Sequence, residues 1–219
     1  MIHNNGTLIA ISEEPNPSVF QKSLMITEFY HGASDIPCPL GSIQMMGKTD
    51  PDSLAAELLA HPEIKEVLPN ATVEEISRHS IDFFLTSEDL PLRDNRISIR
   101  KDGSIKTHYK PNNLEAYQNL RKKLIGMMEG IGCKACAHRD NAYVGYKLGI
   151  SGVSHQNGTC RFGTDPDHSV LDTNCKTHDL DNLYVVDTSF FPSSGAVNPS
   201  LTAMANALRV GDHLIERMK

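Results

Sequence analysis

The chain of 219 residues has no run approaching the roughly eighteen apolar residues that a membrane-spanning helix requires. It has no excess of basic charge either. The 21 Lys and Arg against 27 Asp and Glu leave −6 at pH 7, which argues against a nucleic-acid footprint and against polybasic membrane contact. The opening Met1-Ile2-His3-Asn4-Asn5-Gly6 has neither the basic nor the apolar region of a secretory leader. Five cysteines, at 38, 133, 136, 160 and 175, are odd in number and scattered, so they form no disulfide framework and point to a reducing, cytoplasmic setting. No Gly-x-Gly-x-x-Gly triplet occurs anywhere, so the tight turn that brings backbone N–H groups against a dinucleotide pyrophosphate is not encoded in these residues. What is present is ordinary for a globular protein: 39% apolar and 22% charged, enough for one good core or two small ones.

Along the chain, Leu8–Ile11 and Leu24–Phe29 alternate and predict two strands around a Glu-Glu-Pro-Asn-Pro break. Residues 32–51, rich in Gly, Pro and Asp, read as a surface excursion. Ser53 is placed to cap a short helix to Ala60, limited by Pro62. Residues 73–80 fit either helix or strand, and Ile81, Phe83 and Leu85 alternate as a strand. Residues 96–109 read as a hairpin turning at Asp102-Gly103. Asn112 or Asn113 would cap a helix carrying Leu114, Tyr117, Leu120, Leu124 and Met128 on one face and stopping at Gly130. Strands under helices describe an α+β layer built on an antiparallel sheet.

The last third predicts a strand at Leu183–Val186 ending in Asp187, a turn at 192–195, and a helix with Leu201, Met204, Leu208, Ile215 and Met218 on one face. Pro199 suits the first turn of that helix and holds Asn198 extended, as an N-cap is. A helix start presents free N–H groups and partial positive charge to an anion or an electron-rich edge.

Three pieces of this region, in order, are Ser154-His155-Gln156-Asn157-Gly158-Thr159-Cys160-Arg161-Phe162-Gly163, Asn182–Asp187, and Asn198-Pro199-Ser200-Leu201-Thr202. Together they resemble the C-terminal signature of the glucose-methanol-choline (GMC) flavin oxidoreductases. Phe29-Tyr30-His31-Gly32 and Gly41–Lys48 resemble the middle of the sugar-oxidising members, and Ile2-His3-Asn4-Asn5 looks like the tail of a family motif entered midway. The resemblance implies His155 as the catalytic base, Asn198 as its partner on the substrate oxygen, and Asp187, Asn198 and Pro199 at the flavin of bound FAD. Of the other histidines, His168, His178 and His213 have no such context, and Arg161 would fix its loop through carbonyl or carboxylate contacts.

The family reading divides the chain into residues 1–30, strands entering from an FAD domain; 31–150, the substrate-binding domain; and 151–219, the catalytic, flavin-facing segment. Its partners are an alcohol, sugar or polyol substrate and a Rossmann-like FAD domain missing from these residues. One face of the 201–218 helix, with 183–186, would pack on that domain and be left as an apolar patch here. Moving hydride from a carbinol carbon needs a nearby base with a pKa near neutrality, which histidine provides. Two further classes are open: a non-catalytic subunit that binds substrate or partner, and a small zinc protein organised on Cys133, Cys136 and His138. The zinc reading lacks a fourth ligand at finger-like spacing, so no metal is expected.

Overall fold

The computed structural model describes residues 1–20, 22–60, 70–133, 143–147 and 154–219. They form two compact units: one of residues 5–87 and 114–149, the other of residues 1–4, 88–113 and 150–219.

The first unit is built on a five-stranded sheet in the order β2-β3-β4-β1-β7, with β1 Asn4–Ile11, β2 Met25–Ile26, β3 Ser42–Met45, β4 Ser80–Ser87 and β7 Tyr143–Lys147. The pairs β2–β3, β3–β4 and β1–β7 are antiparallel. Because side chains alternate across a strand, β1 sends Leu8 and Ala10 to one face and Ile9 and Ile11 to the other. Leu8 and Ala10 meet Ile43, Phe83 and Leu85 under helix α3 (Leu114–Gly130), whose Tyr117, Leu120, Leu124 and Met128 complete that core. Ile9 and Ile11 meet Leu54 of α1 (Pro51–Ala60) and Ile76 of α2 (Val73–His79). The sheet is therefore covered on both faces. This is the α+β antiparallel layer the apolar pattern predicts.

Local chemistry explains where the sequence reading differs. Residues 73–79 are a helix because Thr72 and Glu75 form a reciprocal capping box, the hydroxyl on the Glu75 N–H and the carboxylate on the Thr72 N–H. The cap of α1 is Asp50, which accepts from the backbone N–H and hydroxyl of Ser53; Ser53 itself lies inside the helix. Residues 42–45, assigned to a surface excursion, are a central strand. Gly41 (φ +132°) lets that strand approach β4: a Cβ there would stand 2.0 Å from the Thr86 carbonyl oxygen. The strand expected over 24–29 shrinks to two residues, and a turn begins at Thr27, whose carbonyl accepts from Tyr30. Helix α3 runs to Gly130, and it is Gly132 (φ +82°) that takes the left-handed position beyond its end.

In the second unit, β5 (Arg96–Ile99) and β6 (Ile105–His108) form the expected hairpin, with Gly103 at φ +81° in the turn. The C-terminal helix α4 (Ser200–Arg217) packs Val210 and Leu214 against Leu171, Cys175, Phe190 and Phe191. Residues 183–186 are half-exposed and held by one antiparallel bridge, Lys176 to Tyr184, instead of a strand ladder. The face of α4 bearing Leu201, Met204, Leu208, Ile215 and Met218 is exposed, as are Leu183 and Val186. The residues that α4 buries are Asn206 and Val210. No helix among the described residues is long and apolar enough to cross a membrane.

Candidate active site

The loop carrying His155 is fixed by backbone rungs to the segment that follows Asp187. The N–H groups of Gly158, Cys160 and Phe162 donate to the carbonyls of Thr188, Ser189 and Phe190 at 3.0–3.1 Å, and the Thr188 hydroxyl donates to the Gln156 carbonyl at 3.0 Å. Gly158 adopts φ +73°, and a Cβ there would lie 3.0 Å from the Phe191 carbonyl oxygen. A side chain at this position would strain the loop. Below the rungs, Phe190 stacks on Phe191 with centroids 4.6 Å apart and meets Phe162 edge-on.

Asp187 is exposed, and its carboxylate accepts from the Ser189 N–H at 2.7 Å, capping the 3₁₀ turn Thr188–Phe190. Asn198 is exposed and Pro199 is buried. Pro199 occupies the N-cap position of α4, one residue ahead of the first helical turn where the sequence reading put it, with Asn198 just outside. No side chain caps this helix, and Ser200, Leu201 and Thr202 at its start are exposed.

His155 is half-buried. Its Nδ1 is sealed from solvent and has no hydrogen-bond partner among the described residues, and burial holds its pKa below the usual histidine value. A base in this ring would work through the other nitrogen, Nε2. Against it packs a residue that sequence reasoning missed. His3, 1% exposed, sits edge-on to His155 with ring centroids 5.0 Å apart and planes at 84°. Nδ1 of His3 lies 3.0 Å from the Gly195 carbonyl oxygen, and burial pushes its pKa down to about 4. His3 thus links the His155 loop to the loop that leads into Asn198 and Pro199.

A second missed group, Asp89, anchors the same corner. Its carboxylate accepts from the Ile2 N–H and the Tyr109 hydroxyl at 3.2 Å and from the Asn112 N–H at 3.4 Å. Its backbone pairs with Ser194: the Asp89 N–H donates to the Ser194 hydroxyl at 2.8 Å, and the Ser194 N–H to the Asp89 carbonyl at 3.1 Å. Burial raises the pKa of Asp89. His3 had one signal, its place in the opening stretch that looks like a motif tail; Asp89 had none, because nothing in the pattern around it announces burial.

Two clefts border this corner. One of about 380 Å³ lies between Arg93, Arg96, Ile97, Gly158, Arg161 and His168, and one of about 240 Å³ between Arg96, His108, Tyr109, Gln156, Asn157 and Ser189. Neither is lined by His155 or Asn198. Arg161 donates to the His168 carbonyl at 3.3 Å, the loop-fixing contact expected of it. His168 pairs with Asp165 at 2.8 Å on the surface, His178 meets the Ser169 hydroxyl, and His213 lies beside Tyr184. Cys38, Cys160 and Cys175 are free thiols; Cys136 and His138 lie outside the described residues, and no group of three potential metal ligands occurs among the described ones.

Comparison with known proteins converges on one family. Residues 128–207, a span that includes His155, Asp187, Asn198 and Pro199, match the C-terminal model described as GMC oxidoreductase. The chain belongs to the GMC oxidoreductases. It is 33% identical over 129 residues to the 6'''-hydroxyparomomycin C oxidase of Streptomyces lividus, covering 55% of this chain and 22% of that protein. It is 30% identical over 155 residues to the paromamine 6'-oxidase of Streptomyces fradiae, covering 67% and 27%. A pyranose 2-oxidase of Tricholoma matsutake is 39% identical over 63 residues, 29% of this chain and 11% of that enzyme. The pyridoxine 4-oxidase of Mesorbium loti superposes on 97% of this chain and 43% of its own with a TM-score of 0.51 at 19% identity, a likeness of fold. This GMC chain spans about a quarter of the length of the two Streptomyces oxidases it matches.

Proposed function

We propose that this chain supplies the base-carrying, substrate-facing part of an FAD-dependent oxidoreductase acting on the CH–OH group of a sugar or polyol. The observation that carries the reading is His155: a motif histidine whose loop is clamped by three backbone rungs and whose Nδ1 is buried, so that one nitrogen is left to meet a substrate hydroxyl. The relatives are named for oxidising paromamine and a pyranose, which favours a hydroxyl on or near a sugar-like ring.

FAD is the cofactor the family generally uses, and the chemistry it supplies when bound is acceptance of hydride from the carbinol carbon. The residues here fit its ring end. The start of α4 has no side-chain cap, so first-turn N–H groups are available to an electron-rich edge, and the exposed Asp187 and Asn198 both precede that helix in sequence. His155 would take the hydroxyl proton on Nε2, and Asn198, which stays neutral, would hold the same oxygen through its amide N–H. A Rossmann-like FAD domain would cover the bare face of α4 and supply the pyrophosphate contacts that no glycine turn here provides.

The test joins or co-expresses the chain with the FAD-binding half of a related GMC enzyme. The assembled protein should be yellow and active, and the chain alone colourless. His155→Ala should then lower turnover roughly 10²- to 10⁴-fold with flavin still bound, and raised pH should partly restore it, because a substrate already deprotonated needs no base. Asn198→Ala removes one hydrogen bond to the substrate oxygen, about 1–3 kcal/mol once the assembled site excludes water, and should not respond to pH. His168→Ala, on the surface, should be near neutral. Full activity in His155→Ala, or equal damage from His168→Ala, would remove the assignment.

A further inference from the structure

We propose that His3 is a positioning residue for His155: its imidazole, anchored on the Gly195 carbonyl, forms the wall that orients the His155 ring and ties it to the loop leading into Asn198. The inference rests on His155 being the base, and it follows from three features of the corner.

The first is the tautomer. A carbonyl oxygen can only accept, so the 3.0 Å contact requires the proton of His3 to sit on Nδ1. The ring is 1% exposed and cannot exchange that contact for water. The second is the ring geometry. An edge-on pair at 5.0 Å and 84° places one imidazole against the other in the arrangement aromatic rings prefer, which restricts rotation of the less buried partner. The third is the division of protons. The fully buried ring stays neutral at ordinary pH, so a proton arriving at this pair goes to His155, the half-buried one. A charged His3 would repel the imidazolium that a base must become.

The other ionisable groups around the corner do not compete for this role. Asp89 is occupied by the Ile2 and Asn112 N–H groups and by the Tyr109 hydroxyl, Glu88 accepts from the Ser193 hydroxyl, and Arg161 is engaged by the His168 carbonyl. The anchor of Gly195 is itself fixed, because the preceding Ser194 is paired to the Asp89 backbone in both directions. A rigid support behind a first contact is what holds a catalytic group within a few tenths of an ångström of its working position.

The experiment is an NMR titration of the imidazoles in the full chain, with His155 assigned by loss of its signal in His155→Gln. In the unmodified chain, His3 should be the Nδ1–H tautomer, titrate near 4, and show ring-to-ring cross-peaks with His155. Their absence, or a His3 that titrates like a solvent-exposed histidine, overturns the proposal without any variant. His3→Gln keeps a donor for Gly195 and removes the wall, so water reaches Nδ1 of His155 and its pKa should rise toward the ordinary histidine range. His3→Phe keeps a ring and removes the donor, so it should preserve more of the depression. The exposed His168 serves as an internal control and should not move in either variant. An unchanged His155 titration in both variants overturns the proposal.

In the assembled enzyme, His3→Gln should lower kcat roughly 10- to 10²-fold with KM little changed, and move the acid limb of the pH–rate profile upward. If His155→Ala abolishes turnover while both His3 variants behave as the parent, the base assignment stands and the positioning role falls. If the His3 variants shift the His155 titration while His155→Ala keeps activity, the packing role stands and the base assignment falls.

Discussion

Helices α3 and α4 carry the same three-and-four apolar spacing in sequence, yet their surroundings are opposite. On α3 the apolar side chains close a core: Leu120 and Leu124 have no exposed surface at all. On α4 the corresponding stripe faces outward, with Leu201, Leu208 and Met218 each 74–78% exposed, and the helix is held by its other side through Val210, Leu214 and Asn206. Amphipathic spacing shows that a helix has an apolar face; it does not say whether the chain that encodes the helix also encodes its cover. Both helices pack on apolar side chains, α4 through Val210 and Leu214 on Leu171, Phe190 and Phe191, and the unit containing α4 also holds the buried His3–Asp89 corner.

If that contrast is correct, the largest effect should come from α3. Leu124→Ala should cost about 2–5 kcal/mol by leaving a cavity among Leu8, Phe83 and Leu85, read by urea unfolding or by amide exchange in β1 and β4. A loss under 1 kcal/mol would mean this core is looser than its burial indicates.

Acid should separate the two units next. His3 has a folded-state pKa pushed below its unfolded value, so the folded state binds fewer protons; its contribution is complete above about pH 6.5 and is lost as pH falls toward 4. The depression corresponds to on the order of 3 kcal/mol, and His155 adds to it in the same direction. Asp89, raised by burial, works the opposite way in the carboxylate range, as does Asp82 in the unit containing α3. Amide protection around Gly195 and Asn157 should therefore fall between pH 6.5 and 4 more than protection along β4, and His3→Phe should flatten that difference. Parallel loss in both units would break the comparison.

Smaller still is Asn206→Ala. This buried amide donates to the Cys175 sulfur at 3.2 Å and accepts from Arg209 at 2.8 Å, and its removal should destabilise by about 1–3 kcal/mol. The smallest effect is expected at the bare face. Leu208→Ala should change the stability of the chain by no more than about 0.5 kcal/mol, while Leu208→Asp should reduce self-association in light scattering and weaken assembly with an FAD-binding half.

These contrasts mark what the sequence disclosed. The hairpin was legible because Asp102-Gly103 between alternating isoleucines encodes its turn locally, and α3 was legible because its cover lies within the same unit. Helix α2 left a readable signal in Thr72-x-x-Glu75 that its short length obscured. Strand β3 was hidden because its place in the sheet is secured by a non-local event, the approach of Gly41 to Thr86. At the candidate site, the loop around His155 announces itself by its glycines and threonine, whereas His3 and Asp89 derive their meaning from contacts across more than eighty residues of sequence, which no local pattern records.

The buried thiols carry a practical consequence. Cys133, 4% exposed, lies in the unit of α3, and Cys175, with no exposed surface, lies in the unit of α4. Each unit thus contains a sequestered sulfur that a water-soluble alkylating reagent can reach only when that unit opens, while the exposed Cys38 reacts at once and calibrates the reagent. Following modification of the peptides around 133 and 175 by mass spectrometry, under native conditions and with increasing urea, would give a separate opening free energy for each unit from one sample. If an FAD-binding half covers the exposed face of α4, as proposed, the α4 unit by itself should expose Cys175 well before the α3 unit yields Cys133, and adding that half should slow the first reaction and leave the second untouched.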